Sequence, residues 1–143
     1  MIYSNFSDLY KKVLINAEVN AKKLWYKEVT EQDVLLEILK ENTALLKDLF
    51  NLYWVWYDLV IELFSNKDLF PKSILKEWVY SWMSKNLKDT IVLSIKIAAG
   101  FQKPIASLED FILALLENKT WFYSMLDYIG IDPMKFKWDI EDL

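Results

Sequence analysis

The sequence predicts an all-α fold: two tandem, pseudo-symmetric, four-helix-type repeats packed into one domain, with an aromatic helical segment between them. Three observations carry this. The chain of 143 residues holds only 2 Gly and 3 Pro, so long elements joined by short connections are expected. Apolar residues recur at helical spacing, and no stretch sustains the strict alternation of a strand. Residues 7–52 also reappear at 84–129, shifted by 77 positions. Ser7 falls on Ser84, Lys11 on Lys88, Ala21 on Ala98 and Asp33 on Asp110; Leu36, Leu39 and Leu49 fall on Leu113, Leu116 and Leu126. Leu14 with Ile91, Leu24 with Phe101, Thr30 with Ser107 and Gln32 with Glu109 extend the likeness. Repetition of this kind marks a supersecondary unit that buries its apolar face with the help of its neighbour.

Ser7 is placed to cap the first helix, with Asp8 in its first turn. Its apolar face runs through Leu9/Tyr10, Val13/Leu14, Ala17, Ala21 and Leu24, and the two alanines allow close approach of another helix. Residues 25–29 read as a connection. Thr30 caps a second helix, with Asp33 three positions on in a variant of the capping box; Val34, Leu35, Ile38 and Leu39 form its inward stripe. Asn42 or Thr43 starts a third helix through Leu45, Leu46, Leu49 and Phe50, and pattern alone does not settle whether it runs on through residues 54–64. Residues 65–68 followed by Pro71 are the clearest linker, and a further helix from about Ser73 to Met83 carries Trp78 and Trp82.

The second copy opens at Ser84 and runs through Leu87, Ile91, Ser94 and Ala98. Gly100 is placed as the turn residue just past the end of this helix, with Pro104 shortly beyond it. Ser107 caps the next helix, with Asp110 three residues later and Phe111, Ile112, Leu115 and Leu116 as its stripe. Thr120 opens another, which ends at Gly130. Asp132 and Pro133 are a strong cap and first-turn pair for a last helix through Phe136 and Ile140. The expected organisation is a single domain over 1–143: a first repeat over about 7–64, a linker and extra helix over about 65–83, and a second repeat over about 84–143.

Composition excludes several functions. All 17 basic residues are lysine, and the chain has no Arg, His or Cys. Without Cys there is no disulfide, thiolate nucleophile or cysteine metal site. Without His there is no ordinary zinc site and no side chain that normally titrates near neutrality. The formal charge of −4 argues against a general nucleic-acid binder, which needs a basic face. The first residues carry no secretory signal pattern. The apolar stretch 49–64 contains Asn51, Asp58 and Glu62 and is shorter than the roughly 20 apolar residues of a spanning helix. A cytoplasmic protein with no nucleic-acid or membrane partner is expected.

The repeated signature is small residues on a first helix, a short connection, then a capped apolar helix. In the first copy it reads Ala17, Ala21 and Leu24, then Val29-Thr30-Glu31-Gln32-Asp33-Val34-Leu35-Leu36 and Leu39. In the second it reads Ser94, Ala98 and Phe101, then Ala106-Ser107-Leu108-Glu109-Asp110-Phe111-Ile112-Leu113 and Leu116, closing on Gly130-Ile131-Asp132-Pro133. This resembles the double repeat of the Clp N-terminal domain, found at the front of AAA+ protein unfoldases, over about two-thirds of the chain. There are departures. The family usually has histidine at the positions of Asp33 and Asp110 and often glycine around Trp25 and Gln102, and the segment from Tyr53 to Met83 is longer and more aromatic than a usual inter-repeat linker. No Gly-rich nucleotide loop ending in Gly-Lys-Ser/Thr is present.

The resemblance implies recruitment. Such domains bind unfolded or tagged protein substrates, or adaptor proteins, and deliver them to Clp-type ATPase modules, in cis or in trans. They use no cofactor and catalyse nothing. In some relatives the start of each repeat's second helix holds phosphorylated arginine, with an acidic residue on the guanidinium and helix amides on the phosphate. The matching acidic positions here are Gln32 and Glu109, with Thr30 and Ser107 as the neighbouring caps, and the wider substrate- or adaptor-binding set expected at these helix starts adds Glu31 and Asp110. Gln32 supplies no carboxylate, and Asp33 and Asp110 compete for the same amides, so the same residues also read simply as helix caps. The aromatic excess at Trp54, Trp56, Tyr57, Trp78, Tyr80 and Trp82 adds a second expectation, an apolar binding patch at Trp56 and Trp78.

Two other readings follow from the residues. Paired carboxylates such as Glu31/Glu109 or Asp110/Glu117 resemble an acid–base pair, yet nothing in their spacing singles one out, and a di-metal carboxylate bundle normally adds histidines that this chain lacks. The chain is therefore read as no enzyme. The remaining rival is a stand-alone helical scaffold or dimerisation module without a Clp partner.

Overall fold

The computed structural model describes residues 6–41, 44–65, 83–118 and 121–142. Among these residues there are eight helices and no strand: α1 (Asp8–Lys23), α2 (Glu31–Lys40), α3 (Ala44–Leu52), α4 (Tyr57–Phe64), α5 (Lys85–Gly100), α6 (Leu108–Glu117), α7 (Trp121–Tyr128) and α8 (Pro133–Glu141). The caps expected at Ser7, Thr30, Ser84, Ser107 and Asp132 are in place; the helix starts expected at Asn42 or Thr43 and at Thr120 lie outside the described residues. The amide of Tyr10 donates to Ser7 Oγ at 3.2 Å and that of Leu87 to Ser84 Oγ at 3.1 Å. Thr30 with Asp33 and Ser107 with Asp110 form reciprocal capping boxes. Asp132 caps α8 through the Met134 amide at 3.0 Å, with Pro133 at the first helical position.

Four helix ends share one geometry. After α1, the amide of Trp25 donates to the Lys22 carbonyl and that of Tyr26 to the Ala21 carbonyl. The same pair of bonds follows α3 (Trp54 to Asn51, Val55 to Phe50), α5 (Gln102 to Ala99, Lys103 to Ala98) and α7 (Gly130 to Asp127, Ile131 to Leu126). These bonds satisfy carbonyls that a helix end leaves open, and the first donor of each pair must take a left-handed backbone. It does so at all four places, with φ of +60° at Trp25, +61° at Trp54, +60° at Gln102 and +87° at Gly130. One question that pattern left open is answered here, and one expectation is corrected. The third helix stops at Leu52, and a separate helix, α4, begins at Tyr57. Gly100 is not the turn residue: it is the last residue of α5, and Gln102 takes the left-handed position instead. Of the linker expected at 65–68 with Pro71 only Ser65 is described; the rest of it, and the helix expected from Ser73 with Trp78 and Trp82, lie outside the described residues.

The chain divides into two compact units, one of Lys12–Lys88 and one of Met1–Lys11 with Asp89–Leu143. In the first, α4 packs on α2 and α3. Val34, Leu35, Ile38 and Leu39 of α2 are buried, as their spacing predicts, with Leu46, Phe50 and Val60. The Tyr57 hydroxyl donates to the Leu39 carbonyl and ties α4 to the end of α2. In the second unit α6, α7 and α8 pack together. All of residues 111–116 are buried, so α6 is apolar around most of its circumference. Phe122 and Phe136 meet edge to face with centroids 6.1 Å apart.

The unit boundary cuts across the sequence repeat. Phe6, just ahead of the first copy, pairs as an isolated parallel bridge with Ala106 in the second unit, and the Ser7 amide donates to the Ala106 carbonyl at 2.9 Å. Phe6 and Tyr10 stack at 4.5 Å, and Tyr10 meets Phe111 edge-on at 5.8 Å. In the first unit the corresponding bridge joins Met83 to Val29, with the Ser84 amide on the Val29 carbonyl at 2.8 Å. Each unit therefore takes its leading residues from the copy to which it does not belong in sequence.

Candidate functional site

Each unit carries a groove built from the same positions. In the first, Ala17 and Ala21 are small and buried on α1, the left-handed turn at Trp25 reverses the chain, and the capping box at Thr30 fixes where α2 begins. The space left between the end of α1 and the start of α2 is a groove of about 390 Å³, lined by Asn20, Leu24, Tyr26, Gln32, Asp33, Leu36, Glu37 and Lys40 among others. In the second unit the end of α5, the turn at Gln102 and the start of α6 leave a groove of about 360 Å³, lined by Phe101, Lys103, Ser107, Glu109, Asp110, Leu113, Ile140 and Glu141. Five lining positions correspond across the repeat: Leu24 with Phe101, Tyr26 with Lys103, Gln32 with Glu109, Asp33 with Asp110, and Leu36 with Leu113. Leu24 and Phe101 are each 52% exposed, so both grooves have an apolar rim.

The acid at the head of each second helix is already engaged. The Thr30 amide donates to Asp33 Oδ2 at 2.9 Å, and the Ser107 amide to Asp110 Oδ2 at 2.8 Å. Each cap hydroxyl donates to the same oxygen, at 3.1 and 3.0 Å. Beyond that the grooves differ. Asp110 is almost wholly buried, and Lys103 Nζ lies 2.7 Å from its Oδ2 and donates to Ser107 Oγ at 3.3 Å. The ammonium thus neutralises a carboxylate that would otherwise be costly to bury. At the matching position of the first groove stands Tyr26, whose hydroxyl pKa is raised by burial and by the charge of Asp33. The first groove instead adds buried Glu37, which accepts a hydrogen bond from Asn20 Nδ2; its counterpart in the second unit is Ala114.

The structure gathers four of the expected binding residues into these grooves: Gln32 in the first, and Ser107, Glu109 and Asp110 in the second. Thr30 sits at the cap. Glu31 is buried at a core position, matched by the equally buried Leu108, and does not line the groove. Trp56 is 75% exposed, belongs to neither groove and stands at the cap position of α4. Trp78 lies outside the described residues. Sequence reasoning passed over Tyr26, Lys103, Asn20 and Glu37; carrying the 77-residue shift through the connection pairs the first two, whereas Asn20 and Glu37 have no likeness in the second copy. Among the described residues no group of acids forms a metal-holding cluster, and no helix is long and apolar enough to cross a membrane.

Solved structures share this fold. The chain superposes on the N-terminal domain of the caseinolytic protease associated chaperone ClpD from Arabidopsis thaliana with a TM-score of 0.74, covering 99% of this chain and 96% of that one at 15% identity. A structure from preliminary structural investigations of a malarial protein secretion system gives a TM-score of 0.63, covering 97% and 94%, also at 15% identity. The chain has the Clp N-domain fold. No protein-family model matches the sequence, and no curated protein matches it either. In this Clp N-domain fold the two turn positions where glycine was expected from the resemblance, Trp25 and Gln102, are left-handed as glycine would be. The two positions where histidine was expected carry the carboxylates that close the capping boxes.

Proposed function

We propose that this chain is a substrate- or adaptor-recruiting module of a Clp-type ATP-dependent unfoldase system, and that it catalyses nothing itself. The observation that carries the reading is the pair of corresponding grooves at the heads of α2 and α6, in a chain of Clp N-domain fold. Their volumes, about 390 and 360 Å³, are large enough for a few side chains of a client. Gln32 and Glu109 line the grooves in the first turns of α2 and α6, with Ser107 and Asp110 beside Glu109 and with Thr30 at the cap of α2. The partners are unfolded or tagged proteins, adaptor proteins, and the ATPase modules that receive them.

Phosphoarginine is the most demanding version of this reading. The amides of Thr30 and Ser107 already donate to Asp33 and Asp110, and Lys103 holds the carboxylate side of the second groove. A phosphate must therefore use the remaining first-turn amides of α2 or α6, which favour anions, and of the two matching positions Gln32 and Glu109 only Glu109 carries a carboxylate for the guanidinium.

The test is binding of the purified chain to a phosphoarginine peptide, an unmodified arginine control and an unfolded model protein, with the mass in solution measured alongside. Client binding that is weakened by Glu109→Ala supports the groove assignment, and phosphoarginine selectivity would refine it to degron recognition. No binding by any of the three, together with a dimeric mass, would replace this reading with that of a scaffold or dimerisation module.

A further inference from the structure

A second surface lies outside both grooves, on the turn between α3 and α4. Leu52, Trp54, Trp56 and Leu59 are 73%, 93%, 75% and 57% exposed. Single exposed apolar residues are ordinary, but a run of large ones within one turn is what marks an interaction site. Trp54 is unusual on a second count. It occupies the left-handed position at φ +61°, where the matching turn after α7 has Gly130. An L-residue adopts that conformation at a cost, and a tryptophan side chain this exposed gains almost no packing in return. The turn needs the left-handed state, but nothing in the fold needs a tryptophan to supply it, and an exposed tryptophan kept there points to a role outside the fold.

Charge indicates what binds there. Between residues 44 and 65 the exposed charges are Asp48, Asp58 and Glu62 against Lys47 alone. Asp58 follows the turn directly, close enough that its charge, after burial, helps push the Tyr57 hydroxyl pKa up to about 12. Indole faces attract cations, and acids beside them add to that attraction. We propose that this ridge docks a basic, apolar segment of another polypeptide. Its lysine or arginine side chains lie over Trp54 and Trp56 and beside Asp58, and its apolar side chains rest on Leu52 and Leu59. A second copy of the chain fits less well, because a two-fold contact would set the ridge's acids against themselves. An anionic lipid surface is disfavoured by the same charges. The ridge shares no lining residue with either groove, so it stands or falls independently of the groove assignment.

The experiment titrates the full chain with a short peptide of alternating lysine and leucine, and with its glutamate–leucine counterpart, by indole fluorescence and calorimetry. The basic peptide is expected to bind, more weakly as salt is raised, and the acidic one is not. Trp54→Gly should weaken the basic peptide about tenfold or more, as loss of an interface anchor does, and Asp58→Asn by a smaller factor. Trp54→Gly also supplies the residue that the left-handed turn prefers, so its melting temperature should hold or rise, and lost binding then reports the ridge rather than the fold. Equal binding of the two peptides, binding unchanged in Trp54→Gly, or a concentration-dependent dimer that Trp54→Gly abolishes would each overturn the proposal.

Discussion

The two grooves agree in backbone and disagree in chemistry. Both sit between a helix ended by a left-handed turn and a helix begun by a capping box, and Trp25 and Gln102 even share a φ of +60°. Within that common frame the first groove sets Asn20 and Glu37 where the second unit has Ile97 and Ala114, and Tyr26 where the second has Lys103. The repeat thus preserves hydrogen-bonding geometry at the helix ends, which the fold needs, and leaves the side chains that would meet a ligand free to diverge. The units differ in a further way: the residues that complete each one come from the wrong side of the sequence repeat. Similarity along the chain and membership in a packed unit are separate properties, and they can be tested separately.

The largest expected effect comes from Phe6. It stands ahead of the first copy, yet it is 3% exposed and stacks with Tyr10. Phe6→Ala should cost about 3–5 kcal/mol, as large-to-small substitutions of buried aromatics do. In amide hydrogen exchange the loss of protection should fall on residues 89–142 rather than on 12–88. Met83→Ala, at a half-buried residue, should give a smaller loss on the first unit. Loosening of α2 and α3 by Phe6→Ala would break the comparison, since the leading residues would then belong where the repeat places them.

The next effect is specific to the second unit. Tyr10 Oη and Ser94 Oγ are buried and 2.8 Å apart, whereas the corresponding positions in the other copy are the apolar Leu87 and Ala17. Ser94→Ala should cost roughly 1–3 kcal/mol by stranding a buried hydroxyl, and adding Tyr10→Phe should recover much of that because both partners become apolar. A double variant as unstable as the sum of the two singles would show that the pair does not act as a unit. The buried tyrosines also set a pH dependence. Tyr57, pushed up to about 12 by burial and then by Asp58, keeps its proton where the unfolded chain releases one at about pH 10. Its contribution is whole below pH 10 and is lost as pH rises towards 12. Tyr57→Phe should flatten that decline in an alkaline denaturation series. Tyr10, raised first by burial and then by Asp110 against the lowering effect of the Ser94 bond, contributes with the same sign.

Much of this was legible from sequence because it rests on local rules. The caps at Ser7, Thr30, Ser107 and Asp132 use oxygen side chains beside helix amides, and the buried stripes of α2 and α6 follow helical periodicity. What escaped were features without a periodic or compositional mark. The break at residues 53–56 turns on a tryptophan taking a conformation that pattern reading reserves for glycine, and Gly100 drew the helix end two residues short of Gln102 for the same reason. The single-residue bridges Phe6–Ala106 and Met83–Val29 are too short to read as strands. In the groove, Gln32, Glu109 and Asp110 were reached through the family resemblance and the caps. Lys103 was missed because its partner Asp110 already had a complete structural explanation.

The smallest predicted effects sharpen the comparison most, because they test the shared turn geometry with little change in packing. A left-handed backbone costs an L-residue roughly 1–2 kcal/mol relative to its right-handed state, and glycine returns about 0.5–1 kcal/mol of that through the entropy it loses on folding. Gln102→Gly should therefore stabilise the chain by about 0.5–1 kcal/mol, since Gln102 is exposed and nothing large is removed. Trp25→Gly should gain less, because Trp25 is 52% exposed and surrenders some packing with its side chain. Gly130→Ala should lose about as much as Gln102→Gly gains; open space surrounds Gly130, so the penalty is backbone strain alone. Thermal unfolding of the three variants then orders them Gln102→Gly, Trp25→Gly, Gly130→Ala from most to least stable. If Gly130→Ala proves neutral, the left-handed turn is not a shared constraint, and the agreement of the two grooves in backbone would have to come from the packing of α2 and α6 instead.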